Sequence, residues 1–168
     1  MILDNAIKQA SLLLKSNNIP SYELDAQIIL SDILGVKKEF LITNDKINIS
    51  KKNIQKYRQA IKRRINNEPV AYIIGKKEFW SEDFLVGYGT LIPRPETELM
   101  IYNIINFFRN KKINILDIGT GSGCLVISLL KERSKCIATA IDLSKEALKV
   151  AKINANMHHL ENKINFLN

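Results

Sequence analysis

The sequence predicts an α/β chain in which a small helical bundle and a hairpin precede a region of alternating strands and helices. Three observations carry this. Apolar residues recur at three- and four-residue steps from Leu3 to about Asn66. Two extended segments then surround a polar turn, and from Ile113 onward strand-like and helix-like runs alternate. The expected divisions are 1–66 for the helical region, 67–93 for the hairpin connector and 94–168 for the alternating region.

Leu3, Ala6, Ile7, Ala10, Leu13 and Leu14 define the apolar stripe of a first helix. Pro20 suits a first helical turn, Leu24, Ile28 and Ile29 continue a second helix, and Gly35 stops it. Ser50 can N-cap a third helix carrying Ile54, Tyr57, Ile61 and Ile65. After Glu68-Pro69, "YIIGKKEFW" and "FLVGYG" read as extended, with Trp80 as a packing anchor. A helix is expected after Pro95, its apolar face built from Leu99, Ile101, Tyr102, Ile105 and Phe108. The runs "INILDIG", "GCLVISLLKER", "CIATAIDL", "KEALKVAKINANM" and "KINFLN" then follow in the order β-α-β-α-β, which implies parallel strands under crossover helices.

Composition narrows the function. The first residues carry Asp4 and only a short apolar run, fitting neither a secretory signal nor a membrane span, so a cytoplasmic protein without a membrane partner is expected. Cys124 and Cys136 lie in apolar contexts with no CxxC or Cys/His cluster, so packing is expected of them rather than a disulfide or metal site. The net charge is +8, with its densest cluster at Lys62, Arg63 and Arg64. Lys, Asn and Ile are abundant throughout and no aromatics interleave that cluster, so it reads as a solvated face and direct nucleic-acid binding is not expected.

The segment "LDIGTGSG" ends a buried-strand pattern in three alternating glycines and runs straight into a helix. Such glycines let a ligand approach the backbone where a helix N-terminus offers free N–H groups. A dinucleotide fingerprint would place its third glycine at position 124, which is Cys124. The G-x-G-x-G pattern after a strand ending in Asp instead resembles class I S-adenosylmethionine-dependent methyltransferases. Gly119, Thr120, Gly121, Ser122 and Gly123 then form the cofactor loop, with Asp117 near the ammonium of the methionine end. Asp142, ending the next strand, can accept from both ribose hydroxyls or can serve only to cap a helix, although Ser144 is the better N-cap candidate.

"KKEFW" (Lys76 to Trp80), "LIPRPETE" (Leu91 to Glu98), "ILDIGTGSG" (Ile115 to Gly123) and "AIDLS" (Ala140 to Ser144) together resemble the protein-(glutamine-N5) methyltransferases of the HemK type. The resemblance spans the whole chain and implies S-adenosyl-L-methionine as cofactor. It also implies class 1 peptide chain release factors as partners, methylated on the glutamine of Gly-Gly-Gln, with the helical region docking on them. The expected fold is that of the first half of the class I methyltransferase sheet, Rossmann-like, behind the helical bundle and hairpin. Pro93 and Pro95 hold Arg94 extended. In the family this segment passes over the cofactor, so Arg94, Glu96 and Thr97 are expected to help close the site; Thr97 and Glu98 can alternatively serve only the helix start. The family's catalytic Asn-Pro-Pro-Tyr is absent from these 168 residues. The chain therefore reads as a fragment of a methyltransferase or a shortened binding module. Its complete set of cofactor-side polar residues favours the fragment, for which methyl transfer by this chain alone is not expected.

Overall fold

The computed structural model describes residues 1–109 and 111–168, which gather into two compact units, Met1–Ile74 and Gly75–Asn168. Residues 67–93, expected to form one connector, are shared between them: a short helix closes the first unit and the hairpin opens the second.

In the first unit the helices are α1 (Leu3–Ser16), α2 (Tyr22–Leu34), α3 (Lys38–Thr43), α4 (Lys51–Ile65) and α5 (Val70–Ile74). Leu3, Ala6, Ala10 and Leu14 of α1 pack with Ala26, Ile29 and Leu30 of α2 and with Ile54, Tyr57 and Ile61 of α4. Leu13 and Leu24, expected on buried stripes, are 48% and 46% exposed, because the buried arc of each helix is narrower than its apolar arc. Pro20 lies before α2 rather than in its first turn, with Ser21 at the N-cap. Gly35 ends α2 at φ +67°, its N–H donating to Asp32 O and that of Val36 to Ser31 O, the paired bonds of a Schellman motif. Ser50 Oγ caps α4, accepting from Asn53 N at 3.2 Å. The Tyr57 hydroxyl donates to Ala26 O at 2.9 Å inside the core. Arg64 Nε and Ser21 Oγ both donate to Asp25 Oδ2, each at 2.7 Å, so the buried carboxylate is charge-matched.

Tyr72 to Ile74, expected to be extended, are helical. Their β-branched and aromatic character favours strand, but the Pro69 carbonyl accepts from Tyr72 N and Ile73 N, and Val70, Ile73 and Ile74 pack on the bundle core. Tertiary packing overrides local preference there.

The second unit starts with the antiparallel hairpin β1 (Lys76–Phe79) and β2 (Glu82–Leu85), joined by Trp80-Ser81. Both turn residues have positive φ, +52° and +59°, the geometry whose twist matches a hairpin but which usually selects Asn-Gly. Trp80 is held there by two carboxylates: its N–H donates to Glu98 Oε1 and its indole Nε1 to Glu132 Oε1, each at 2.8 Å. Phe79 and Phe84 enter the core edge to face.

A 3-10 turn at Pro95–Thr97 leads into α6 (Glu98–Phe107), followed by β3 (Asn114–Ile118), α7 (Cys124–Glu132), β4 (Ile137–Ile141), α8 (Lys145–Met157) and β5 (Ile164–Leu167). The strands are parallel in the order β3-β4-β5, as the alternation implies. Ile101 anchors α6, whereas Leu99 and Tyr102, expected on its buried face, are 65% and 60% exposed. Val126, Ile127, Leu129 and Leu130 of α7 and Ala155 of α8 join the core under the sheet. On β3, Leu116 and Ile118 point away from that core and are exposed.

Candidate functional site

Parallel pairing of β3 with β4 puts Ile118 beside Ile141, so the loops after both strands leave from one edge of the sheet. Asp117 and Asp142 are thereby brought to the same edge although 25 positions of sequence separate their numbers. The loop is stitched to β4 by two bonds: Gly119 N and Thr120 N both donate to Ile141 O, at 2.8 and 3.0 Å.

Gly119, Gly121 and Gly123 have φ of +79°, +57° and +78°, which disfavours any side chain at these positions. Their surroundings differ. A Cβ on Gly123 would lie 3.1 Å from Ile127 Cδ1 and 3.2 Å from Ala151 Cβ, so this glycine lets α7 start tightly against α8. A Cβ on Gly119 or Gly121 would meet nothing within 4 Å, so the backbone of the exposed Gly119 and the half-buried Gly121 borders open space.

Both side chains of the loop, Thr120 and Ser122, are buried. Thr120 is buried and its hydroxyl donates to Asp117 Oδ2 at 2.7 Å. Asp142 Oδ2 accepts from Gly121 N at 2.8 Å, and Oδ1 from Ser144 N at 2.9 Å. The N-cap of α8 is Ser144, whose Oγ accepts from Ala147 N at 3.1 Å. Asp142 therefore ties the glycine loop to the start of α8, and a carboxylate with about four lone-pair sites keeps acceptor capacity beyond these two bonds. Burial pushes the Asp117 carboxyl above its ordinary value, the Thr120 hydrogen bond works against this, and the neighbouring Asp142 charge adds to the rise.

Ser122 is buried and contributes its carbonyl, which accepts from Asn154 Nδ2 at 2.8 Å. Asn154 is 0% exposed and also exchanges two bonds with Leu85 of β2, donating to its carbonyl at 3.0 Å and accepting from its N–H at 2.8 Å. One amide thus clamps the hairpin and the glycine loop to α8. Sequence reasoning missed it, although Asn154 falls in register with Ala147 and Ala151 on the buried stripe of α8, where a polar residue signals an internal hydrogen-bonding task.

The Gly87–Thr90 turn lies over the first turn of α8, where a Cβ on Gly89 would come 2.8 Å from Glu146 Cβ. Beyond it Pro93 is buried, while Arg94 and Glu96 are exposed and Thr97 half-buried. Arg94 is extended, φ −96° and ψ 137°, as its flanking prolines demand. Among the described residues no hydrogen bond or ion pair joins Arg94, Glu96 or Thr97 to the glycine loop. Glu98 serves the hairpin through Trp80 N.

Comparison with known proteins matches residues 5–75 to the family described as PrmC N-terminal domain and residues 109–167 to one described as methyltransferase domain. The chain is 39% identical to the release factor glutamine methyltransferase of Buchnera aphidicola subsp. Baizongia pistaciae, over 99% of this chain and 60% of that relative. Identity is 42% to the protein of that name from Buchnera aphidicola subsp. Schizaphis graminum, over 93% of this chain and 56% of the relative. Among solved structures, a SAM-dependent methyltransferase from Geobacter sulfurreducens in complex with S-adenosyl-L-homocysteine is 24% identical, over 44% of this chain and 28% of that one, with a TM-score of 0.37. The chain spans somewhat more than half the length of the curated relatives it matches.

Proposed function

We propose that this chain, which joins a PrmC N-terminal domain to a methyltransferase domain, is the cofactor-binding and partner-docking portion of an enzyme that methylates the Gly-Gly-Gln glutamine of class 1 release factors on its side-chain nitrogen. The observation that supports it most is the braced glycine loop, with open space at Gly119 and Gly121 between two carboxylates. S-adenosyl-L-methionine, held by Asp117, Asp142 and the glycine loop, would supply an electrophilic sulfonium methyl group for transfer to the glutamine nitrogen.

Asp117 receives the ammonium of the methionine end, a charge partner of opposite sign for a partly buried carboxylate that has none among the described residues. Asp142 accepts from the ribose hydroxyls with its remaining lone pairs, while its bonds to Gly121 and Ser144 fix its position. The loop backbone lies against the ligand, and Asn154 keeps that backbone from sagging. Arg94, Glu96 and Thr97, on a segment stiffened by Pro93 and Pro95, close over the bound donor and the acceptor.

Calorimetry on the purified chain should show S-adenosylhomocysteine binding and NAD not binding, and Asp142→Ala should weaken the former by about 1.5–3 kcal/mol. Tighter binding of NAD would refute the cofactor. For the substrate, deletion of the gene should leave the Gly-Gly-Gln glutamine of the organism's release factors unmethylated in peptide mass spectra. Undiminished methylation would refute that assignment.

A further inference from the structure

We infer that the groove between α1 and α4 docks an acidic, apolar-faced segment of the protein substrate. The partner's identity, a class 1 release factor, rests on the function proposed above; its chemistry comes from the groove. Two adjoining cavities of about 620 and 140 Å³ run along α4 and share Met1, Ile54 and Arg58. Their apolar lining includes Met1, Leu13, Ile49 and Ile54, and the charged residues that line them are Lys51, Arg58 and Lys62, with no carboxylate. The groove is preformed, since Met1 O accepts from Ile49 N and Leu3 N donates to Ile47 O, both at 2.9 Å.

The charge pattern of α4 is costly for the free chain. The helix carries seven Lys/Arg and no Asp/Glu. Arg63 and Arg64 find carboxylates in Glu68 and Asp25, whereas Lys51, Arg58 and Lys62 have none among the described residues. Lys51 and Lys52 stand in the first turn, at the positive end of the helix dipole, and Lys52/Lys56 and Arg58/Lys62 are like-charge pairs four residues apart. A partner bearing carboxylates beside an apolar strip would pair Lys51, Arg58 and Lys62, the charged residues that line the groove. From Lys51 to Lys62 the helix rises roughly 17 Å, enough for about three turns of a partner helix. The lining favours protein over nucleic acid: its one aromatic residue, Tyr57, is buried with its hydroxyl bonded to Ala26 O, so it offers no exposed face for bases to stack on.

The test measures binding of an unmethylated class 1 release factor to the chain at low and high salt, with Arg58→Glu/Lys62→Glu and, as control, Lys37→Glu on another exposed part of the bundle. The double variant should bind about tenfold or more weakly and lose much of the salt dependence. The control should bind as wild type does, and the double variant should keep the wild-type helical circular dichroism and urea midpoint, showing an intact bundle. Equal release-factor affinity in wild type and double variant would overturn the groove while leaving the partner standing. No binding by wild type would overturn the partner, and the docking role with it. A single-stranded oligonucleotide that binds more tightly than the release factor, and is lost in the double variant, would overturn the protein occupant in favour of nucleic acid.

Discussion

Asp117 is the residue whose environment departs furthest from its neutral task. Burial raises its carboxyl above the ordinary 3.8, so the folded chain binds that proton more tightly than the unfolded chain does. The sign follows: the stabilising contribution is present at low pH and is lost as pH rises from about 3.8 through the folded value. Asp117→Asn should flatten the part of the stability profile that lies above about pH 4, measured by urea denaturation without ligand. The same variant should bind S-adenosylhomocysteine more weakly by about 1.5–3 kcal/mol, because the ammonium loses a charged acceptor. A variant that keeps both the wild-type pH slope and the wild-type affinity would remove Asp117 from the site. Its position at the end of β3 was legible from the apolar run before it; the bond from Thr120 that partly offsets its burial was not, since only the loop's fold turns that hydroxyl inward.

At the level of elements, the site depends on how the hairpin, the glycine loop and α8 are joined. The Gly123 contact with Ala151 brings the two helices together, and Asn154 bonds both flanking segments. Asn154→Leu would leave the half-buried Leu85 N and O and the buried Ser122 O without this partner. It should destabilise the second unit by about 3–5 kcal/mol, seen as a lower urea midpoint. A shift below about 0.5 kcal/mol would mean that water replaces the amide at little cost. The glycine loop and its flanking strand and helix were readable because a period change and three glycines mark them. The two short helices α3 and α5 were not, because five or six residues are too few to show a helical period.

Across the molecule, each unit has its own apolar core, and the sheet of the second unit presents β3 at its edge, paired only with β4 among the described residues. The outer side of β3 has no strand partner among the described residues and lies next to exposed Leu116 and Ile118. The chain should therefore self-associate with rising concentration, as read by light scattering, and Ile118→Lys should reduce the association. Ile118 is 75% exposed, so this change should cost less than about 0.5 kcal/mol of stability. Monodisperse wild-type protein at high concentration would show that the edge is protected in another way.

The sequence by itself determined the helical bundle, the hairpin, the parallel alternation and the glycine loop between two aspartates, because each is written in local periodicity or in residues with special backbone freedom. Tertiary structure alone decided which stretch of each apolar arc is buried, as Leu13, Leu99 and Tyr102 show, since burial depends on which neighbour arrives. It also decided that Val70 to Ile74 coil, that Trp80 can occupy a left-handed turn between Glu98 and Glu132, and that Asn154 holds the loop. The physical reason is common to all three: a hydrogen bond or packing contact between residues far apart in sequence outweighs the local preference of a few residues, and sequence spacing carries no record of that partner.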